Sequence, residues 1–173
     1  MIKIKNVSKY FGAKAALKNI NLEIGDGETL AIIGGSGSGK STLLRLMIGL
    51  IQPTEGEIWI GDDEISQMNE DEMNKVRRRM GMVFQYSALF DSMTVGDNVA
   101  FGLVEHTDLD GAEIEKIVRE KLKQVGLEGV ENLMPNELSG GMKKRVSLAR
   151  AIAFGPEIIF AIEEIAKKFA AGR

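Results

Sequence analysis

No cysteine occurs in the sequence, which excludes a disulfide framework and any thiolate metal site and suits the cytosol. Runs of like charge are also missing: the 22 basic and 25 acidic residues are mixed along the chain. That excludes a basic nucleic-acid arm or an acidic tail, and bulk charge points to no particular partner. Met1 opens directly into Ile2-Lys3-Ile4-Lys5, and no apolar stretch of signal-peptide or membrane-spanning length follows. Work at a membrane would therefore go through a partner. Internal repeats, low-complexity segments and long linkers are absent too. With 173 residues and 44% hydrophobic content, one compact domain with a sizeable core is expected.

What is present has the grammar of an α/β protein. Ile2 and Ile4, then Ile20, Leu22 and Ile24, alternate with polar residues, as half-buried strands of an antiparallel region do. Asp26-Gly27 reads as a turn. Thr29 to Ile33 is an apolar run read as a strand that ends in a glycine loop, and Leu43, Leu44, Leu46, Met47 and Leu50 then repeat at helical spacing. Further strands are expected over Glu57 to Ile60 and Gly81 to Phe84, with an acidic-then-basic helix over Glu70 to Arg79 between them. Ile114, Ile117, Val118, Leu122 and Val125 form a helical stripe that Gly126 ends, and Ser139 to Phe154 forms another helix. His106, the one histidine, falls in a stretch read as a solvated polar loop, Glu105 to Asp110.

The glycine loop carries the chemistry. Gly34-Gly35-Ser36-Gly37-Ser38-Gly39-Lys40-Ser41 matches the phosphate-loop pattern in full, with a strand expected before it and a helix after it. Such a loop needs glycine because successive backbone N–H groups must turn inward around an anion, at angles and distances a Cβ would obstruct. Lys40 supplies a point charge. At an effective dielectric near 20, an ammonium–phosphate pair about 4 Å apart is worth roughly 4 kcal/mol per unit charge before desolvation is subtracted. The positive end of the helix beginning near Lys40 adds to it. Ser41 is placed to offer its hydroxyl to a Mg²⁺ that bridges the β- and γ-phosphates, and Thr42 to bond the α-phosphate side.

A second motif, Leu138-Ser139-Gly140-Gly141-Met142, opens a helix about a hundred residues later. Ser139 as N-cap, followed by two glycines, leaves N–H groups at a helix start that attract an anion. With Gln85 after the strand Met82 to Phe84, these features resemble the ATP-binding cassette (ABC) family over residues 1 to about 160. The resemblance implies a P-loop fold with an antiparallel β subdomain and a helical signature subdomain, binding ATP and Mg²⁺. By that resemblance Phe11 stacks on adenine, with Tyr10 as the alternative, and Gln85 touches Mg²⁺ and the attacking water. Leu138 to Met142 looks like the signature that meets the γ-phosphate of a second cassette, packed head to tail. Residues 1–80 and 140–160 would form the core with the β subdomain, and 86–139 the helical subdomain. The stretch Val83 to Val95, with Lys143-Lys144-Arg145, resembles the narrower group of Mce-type lipid transporter cassettes.

The family pattern breaks near the end. After Pro156-Glu157-Ile158-Ile159-Phe160 the family continues a strand into adjacent Asp and Glu, whereas this sequence reads Ala161-Ile162-Glu163-Glu164. Ile162 replaces the aspartate of the Mg²⁺ shell and cannot accept a hydrogen bond from a metal-bound water, while Glu163 falls where the water-activating glutamate belongs. Ile158, Ile162, Ile165 and Phe169 recur at spacings of four, three and four, and Glu163 and Glu164 precede Lys167 and Lys168 by four. This is helix grammar. It predicts that residues 161–173 form an amphipathic tail foreign to the family, and it leaves residues 158–170 open between strand and helix. The sequence does not reach the family's switch histidine or the strand that carries it, so the parallel sheet is expected to be incomplete and to expose an apolar face.

The reading is thus an ATP-binding subunit of a lipid-type transporter, cytoplasmic and held at the membrane by a permease, with hydrolysis weak or absent for lack of the Mg²⁺-shell carboxylate. Its rival is a non-enzymatic folding, interaction or engineered fragment that retains the phosphate loop. Nucleic acid is not expected as a partner, given the mild acidity and the lack of a basic stripe.

Overall fold

A computed structural model of the chain describes residues 1–162, which pack as two compact units, Met1–Arg77 and the residues from Arg78 onward. The amphipathic tail expected beyond Ile162, Glu163 included, lies outside the described residues.

The first unit is built on a hairpin of β1 (Ile2–Phe11) and β2 (Lys14–Ile24), antiparallel, with Ile2 opposite Ile24 and Ile4 opposite Leu22. The alternation read from the sequence is realised, with Ile2, Ile4 and Val7 buried and Lys3 and Lys5 turned outward. Strand β3 (Glu55–Ile60) pairs with the other edge of β1, and the short β4 (Asp63–Glu64) completes the sheet order β2-β1-β3-β4. Helix α1 (Lys40–Met47) buries Leu43, Leu46 and Met47. Helix α2 (Glu70–Arg77) stops at Arg77, where the guanidinium turns back to donate to the carbonyls of Ile48 (3.1 Å) and Gly49 (2.9 Å) just past α1.

In the second unit, β5 (Met80–Val83) lies parallel to β6 (Ile158–Ala161), with Met80 opposite Ile158 and Val83 opposite Ala161. Between them come α3 (Val95–His106), α4 (Gly111–Gln124), a 3₁₀ turn at Pro135–Glu137 and α5 (Gly140–Ala153). Val95, Val99 and Leu103 of α3, Leu122 of α4, and Val146 and Ala149 of α5 share one core. Each fully buried Val or Leu there contributes about 1.5–3 kcal/mol. Gly126 takes φ 70° just after α4, as a helix-ending residue does. Helix α5 and β6, grouped above with the phosphate-loop core, pack with α3, α4 and β5.

Two expectations need correction, and the state of Ile158 to Phe160, left open by the sequence, is decided. Thr29 to Ile33 is not a strand: it has no ladder partner among the described residues, and Leu30, Ile32 and Ile33 stand 45%, 42% and 75% exposed. An apolar run becomes a strand only when a neighbour satisfies its N–H and C=O groups, and none does. Among the described residues the parallel sheet is the two-stranded β5–β6 pair. Ile158 to Phe160, conversely, remain strand, because the parallel ladder onto β5 satisfies their backbone. Finally, His106 is the last residue of α3 rather than a loop residue, with its ring centroid 6.2 Å from that of Phe154 in a T-shaped arrangement.

Candidate functional site

The site begins where α1 begins. Gly39 is the N-cap of α1 at φ 92°, and no side chain caps the helix and no acidic residue sits in its first turn. The first-turn N–H groups and the positive helix end are thus left without a carboxylate or hydroxyl cap from the chain itself. A Cβ on Gly39 would lie 2.8 Å from the Ala16 carbonyl oxygen and 2.7 Å from Leu17 Cδ2, so glycine is required there by both angle and space. At Gly34 a Cβ would meet Ser38 Oγ at 2.7 Å. The turn is closed by Ser38 N–H donating to the Gly35 carbonyl at 3.3 Å.

Lys40 reaches back across this loop. Its Nζ donates to the carbonyls of Gly34 (2.6 Å) and Gly35 (2.8 Å) and lies 3.3 Å from Ser38 Oγ. The ammonium is thereby held over residues 34–38, at the end of α1 where the helix field is positive. Ser36 and Ser41 are exposed and Thr42 half-buried in the same segment. The hydroxyl of Ser41 is a neutral, hard oxygen donor. That chemistry fits a hydrated Mg²⁺ whose charge is balanced by phosphate rather than by a protein cage.

Phe11 ends β1, 53% exposed, paired with Lys14 on β2. The β1–β2 register slips between Lys9, opposite Leu17, and Tyr10, opposite Ala15, leaving Ala16 as the bulged residue. Ala16 is the residue whose carbonyl abuts Gly39. Phe11 and the loop thus meet the same end of β2, Lys14 and Ala16 being about 7 Å apart along the strand. Tyr10 is half-buried, with its N–H donating to Thr54 Oγ1 at 3.2 Å, so Phe11 is the more open ring.

In the second unit, Gln85 is half-buried in the turn after β5. Ser87 and Ala88 follow at φ 63° and 45°, left-handed values that cost energy without glycine. Two residues not singled out in the sequence hold that loop. The Arg150 guanidinium, on α5, donates to the carbonyls of Ala88 (2.8 Å) and Ser87 (3.1 Å) and stacks 5.6 Å from the Phe90 centroid. Burial pulls its pKa below the usual arginine range. Asn98, fully buried on α3, accepts from Phe90 N–H (2.8 Å) and donates to the carbonyls of Phe90, Met93 and Thr94. A lone amide among Val95, Val99 and Ala100 was the available signal, since a buried polar group must find partners.

Helix α5 opens on Ser139, whose Oγ accepts from Met142 N–H at 3.3 Å. Leu138 is buried as an anchor, Met142 packs against the helical core, and Ser139, Gly140 and Gly141 are exposed. A Cβ at Gly140 or Gly141 would meet nothing within 4 Å.

Comparison with known proteins agrees with this arrangement. The chain is 46% identical, over 92% of its length, to the intermembrane phospholipid transport system ATP-binding protein MlaF of Haemophilus influenzae, of which it covers 60%. It is 45% identical, over 94% of its length, to the methionine import ATP-binding protein MetN of Clostridioides difficile, of which it covers 50%. The chain thus spans about half to three fifths of the length of these relatives. Among solved structures it resembles a dimeric ATP-binding cassette in a post-hydrolysis state bound to ADP and Pi. There the identity is 43% and the TM-score 0.82, over 93% of this chain and 73% of that one. A cassette from Clostridium perfringens, part of an ABC transporter complex, gives a TM-score of 0.85 at 34% identity, over 92% of this chain and 64% of that one. The sequence pattern that defines the ABC transporter family matches residues 17–163, and the chain belongs to that family.

Proposed function

We propose that this chain is the ATP-gripping part of an ABC transporter that moves lipid, that it binds MgATP through residues 34–42, and that it turns ATP over poorly. The observation that carries the reading is the loop at Gly34–Lys40, an uncapped helix start with an ammonium laid across it. A triphosphate entering there meets backbone N–H groups, the Lys40 charge and the Ser41 and Thr42 hydroxyls together. Phe11 takes the adenine. Ser41 would hold Mg²⁺ there, and the ion would supply positive charge to the phosphates. The likeness to a phospholipid transport protein supports lipid as cargo. None of the described helices is long and apolar enough to cross a membrane. Membership of the ABC transporter family supports work alongside a membrane permease, with the chain on its cytoplasmic side.

The signature Leu138–Met142 would act on the nucleotide of a second cassette. Its exposed glycines and open approach support that role, as does the dimeric state of the solved relative. Hydrolysis is the weak step. The family resemblance aligns Ile162, whose N–H donates to the Val83 carbonyl at 2.9 Å, with a Mg²⁺-shell carboxylate, and its aliphatic side chain supports this reading. Losing one such electrostatic group costs roughly 3 kcal/mol of transition-state stabilisation, or about two orders of magnitude in rate. Glu163, the remaining candidate base, lies outside the described residues.

The test is a fluorescent-ATP titration with and without Mg²⁺. Binding that Lys40→Ala abolishes supports the proposal, and no binding at millimolar ATP replaces it with a non-enzymatic fragment. A turnover near one per second would contradict the impaired hydrolysis.

A further inference from the structure

The geometry points to Lys9 as a positioning residue for the adenine platform: its ammonium braces one face of Phe11 and leaves the other to the base. The inference rests on the proposal that Phe11 stacks on adenine, and extends it to a residue that touches neither base nor phosphate.

Lys9 and Phe11 are two apart on β1 and project to the same side of the strand. The Lys9 Nζ lies 5.4 Å from the Phe11 ring centroid and donates to the Gln52 carbonyl at 2.7 Å. Gln52 is itself fixed by the run that follows α1, where Thr54 N–H donates to the Ser8 carbonyl (2.9 Å) and Thr54 Oγ1 accepts from Tyr10 N–H (3.2 Å). The ammonium is therefore tethered at a carbonyl rather than swinging freely, and the ring beside it has a fixed neighbour.

Two physical effects follow. An exposed phenylalanine at a strand end samples several rotamers, and a cation on one face narrows that choice, so less ordering remains to be done when a base arrives. The cation also draws π density toward itself, which makes the opposite face a better partner for an electron-rich purine. Neither effect reaches the phosphates. Adenine recognition should therefore depend on Lys9, whereas the long-range attraction of a +1 charge for an anion acts on any triphosphate alike.

The experiment compares MgATP with inorganic tripolyphosphate and Mg²⁺ by titration calorimetry on the full chain. The readout is the ratio of the two dissociation constants. Lys9→Met should reduce the preference for ATP about two- to fivefold, the range of an exposed cation–π contact. Lys9→Arg should retain the preference, because it keeps the cation. Lys14→Met removes an equal charge from the residue paired with Phe11 and should leave the ratio at its wild-type value. In a Phe11→Ala background, Lys9→Met should change the ratio no further.

An unchanged ratio in Lys9→Met overturns the inference, as does an equal fall in Lys14→Met or an undiminished effect without the Phe11 ring. Thermal melting checks that each variant is folded, and Lys9→Arg carries the test should Lys9→Met melt early: a lost preference in that folded variant also overturns the inference. Failure of the underlying proposal looks different. The wild-type chain would then bind neither ligand, or would bind both as well after Lys40→Ala.

Discussion

Two glycine-bearing helix starts, those of α1 and α5, are built in opposite ways. Helix α1 starts at a left-handed Gly39 wedged against Ala16 and Leu17, with no side-chain cap and with Lys40 folded back over the loop. Helix α5 starts at Ser139, which caps its own helix through the Met142 N–H, and Gly140 and Gly141 stand in open space. The first has no side-chain cap and carries its own lysine folded across the loop before it. The second has one N–H spent on an internal cap and the rest presented outward. A cup that grips within the chain and a surface offered to something outside it are what these geometries describe, and each can be tested by adding a single methyl.

The largest effect is expected at Gly39. In Gly39→Ala the new Cβ would sit 2.8 Å from a backbone oxygen and 2.7 Å from the Leu17 side chain, at φ 92°. Strain at a positive φ adds about 1–2 kcal/mol to that overlap. Unfolding in denaturant should show a loss of at least about 2 kcal/mol, and ATP affinity should fall more than about tenfold because the loop must shift. A variant as stable and as tight-binding as the wild type would show that the loop is not closed around Gly39, and the contrast with α5 would disappear.

Ser139→Ala comes next. It removes one hydroxyl acceptor from an exposed helix start, for which a loss of about 1 kcal/mol is typical. Thermal unfolding should register that loss, and Ser139→Asp should restore it, since aspartate caps as well and favours the helix dipole. If Ser139→Ala is neutral, the cap is ornamental and the two helix starts differ less than their geometry implies.

How far the sequence revealed these two starts follows from how local each is. Gly34 to Ser41 could be read directly because its requirements, glycine angles and a lysine at the helix start, lie within eight consecutive residues. Strands β1 and β2 were legible too, since alternation at Ile2, Ile4, Leu22 and Ile24 marks the face each residue takes, while their register came only with the structure. Thr29 to Ile33 misled because strand formation belongs to a pair of segments, and the run carries no sign of whether a partner exists. Helix α3 went unread because apolar residues lie on several faces, with Phe101 and Val104 exposed while Val99 and Leu103 are buried. Its Thr94–Asp97 capping box was visible and marks the true start. Arg150 and Lys9 do their work across 62 and 43 residues of chain, at Ala88 and Gln52 respectively, distances at which no local pattern can register a contact.

The smallest effect, and the one that most sharpens the contrast, is expected at Gly141. It lies in the first turn of α5, is exposed, and a Cβ there meets nothing within 4 Å. Replacing a helical glycine by alanine stabilises by up to about 1 kcal/mol through propensity alone, so Gly141→Ala should melt higher, not lower. The chain would therefore be more stable without this glycine, and the space beside it is open to a ligand. If that ligand is the phosphate of a nucleotide on a second copy, the added methyl stands between α5 and the anion. ATP-dependent self-association, measured by sedimentation, should then weaken while the melting temperature rises. A fall in melting temperature would place an unseen packing contact at Gly141, and unchanged self-association would remove the nucleotide from this helix start.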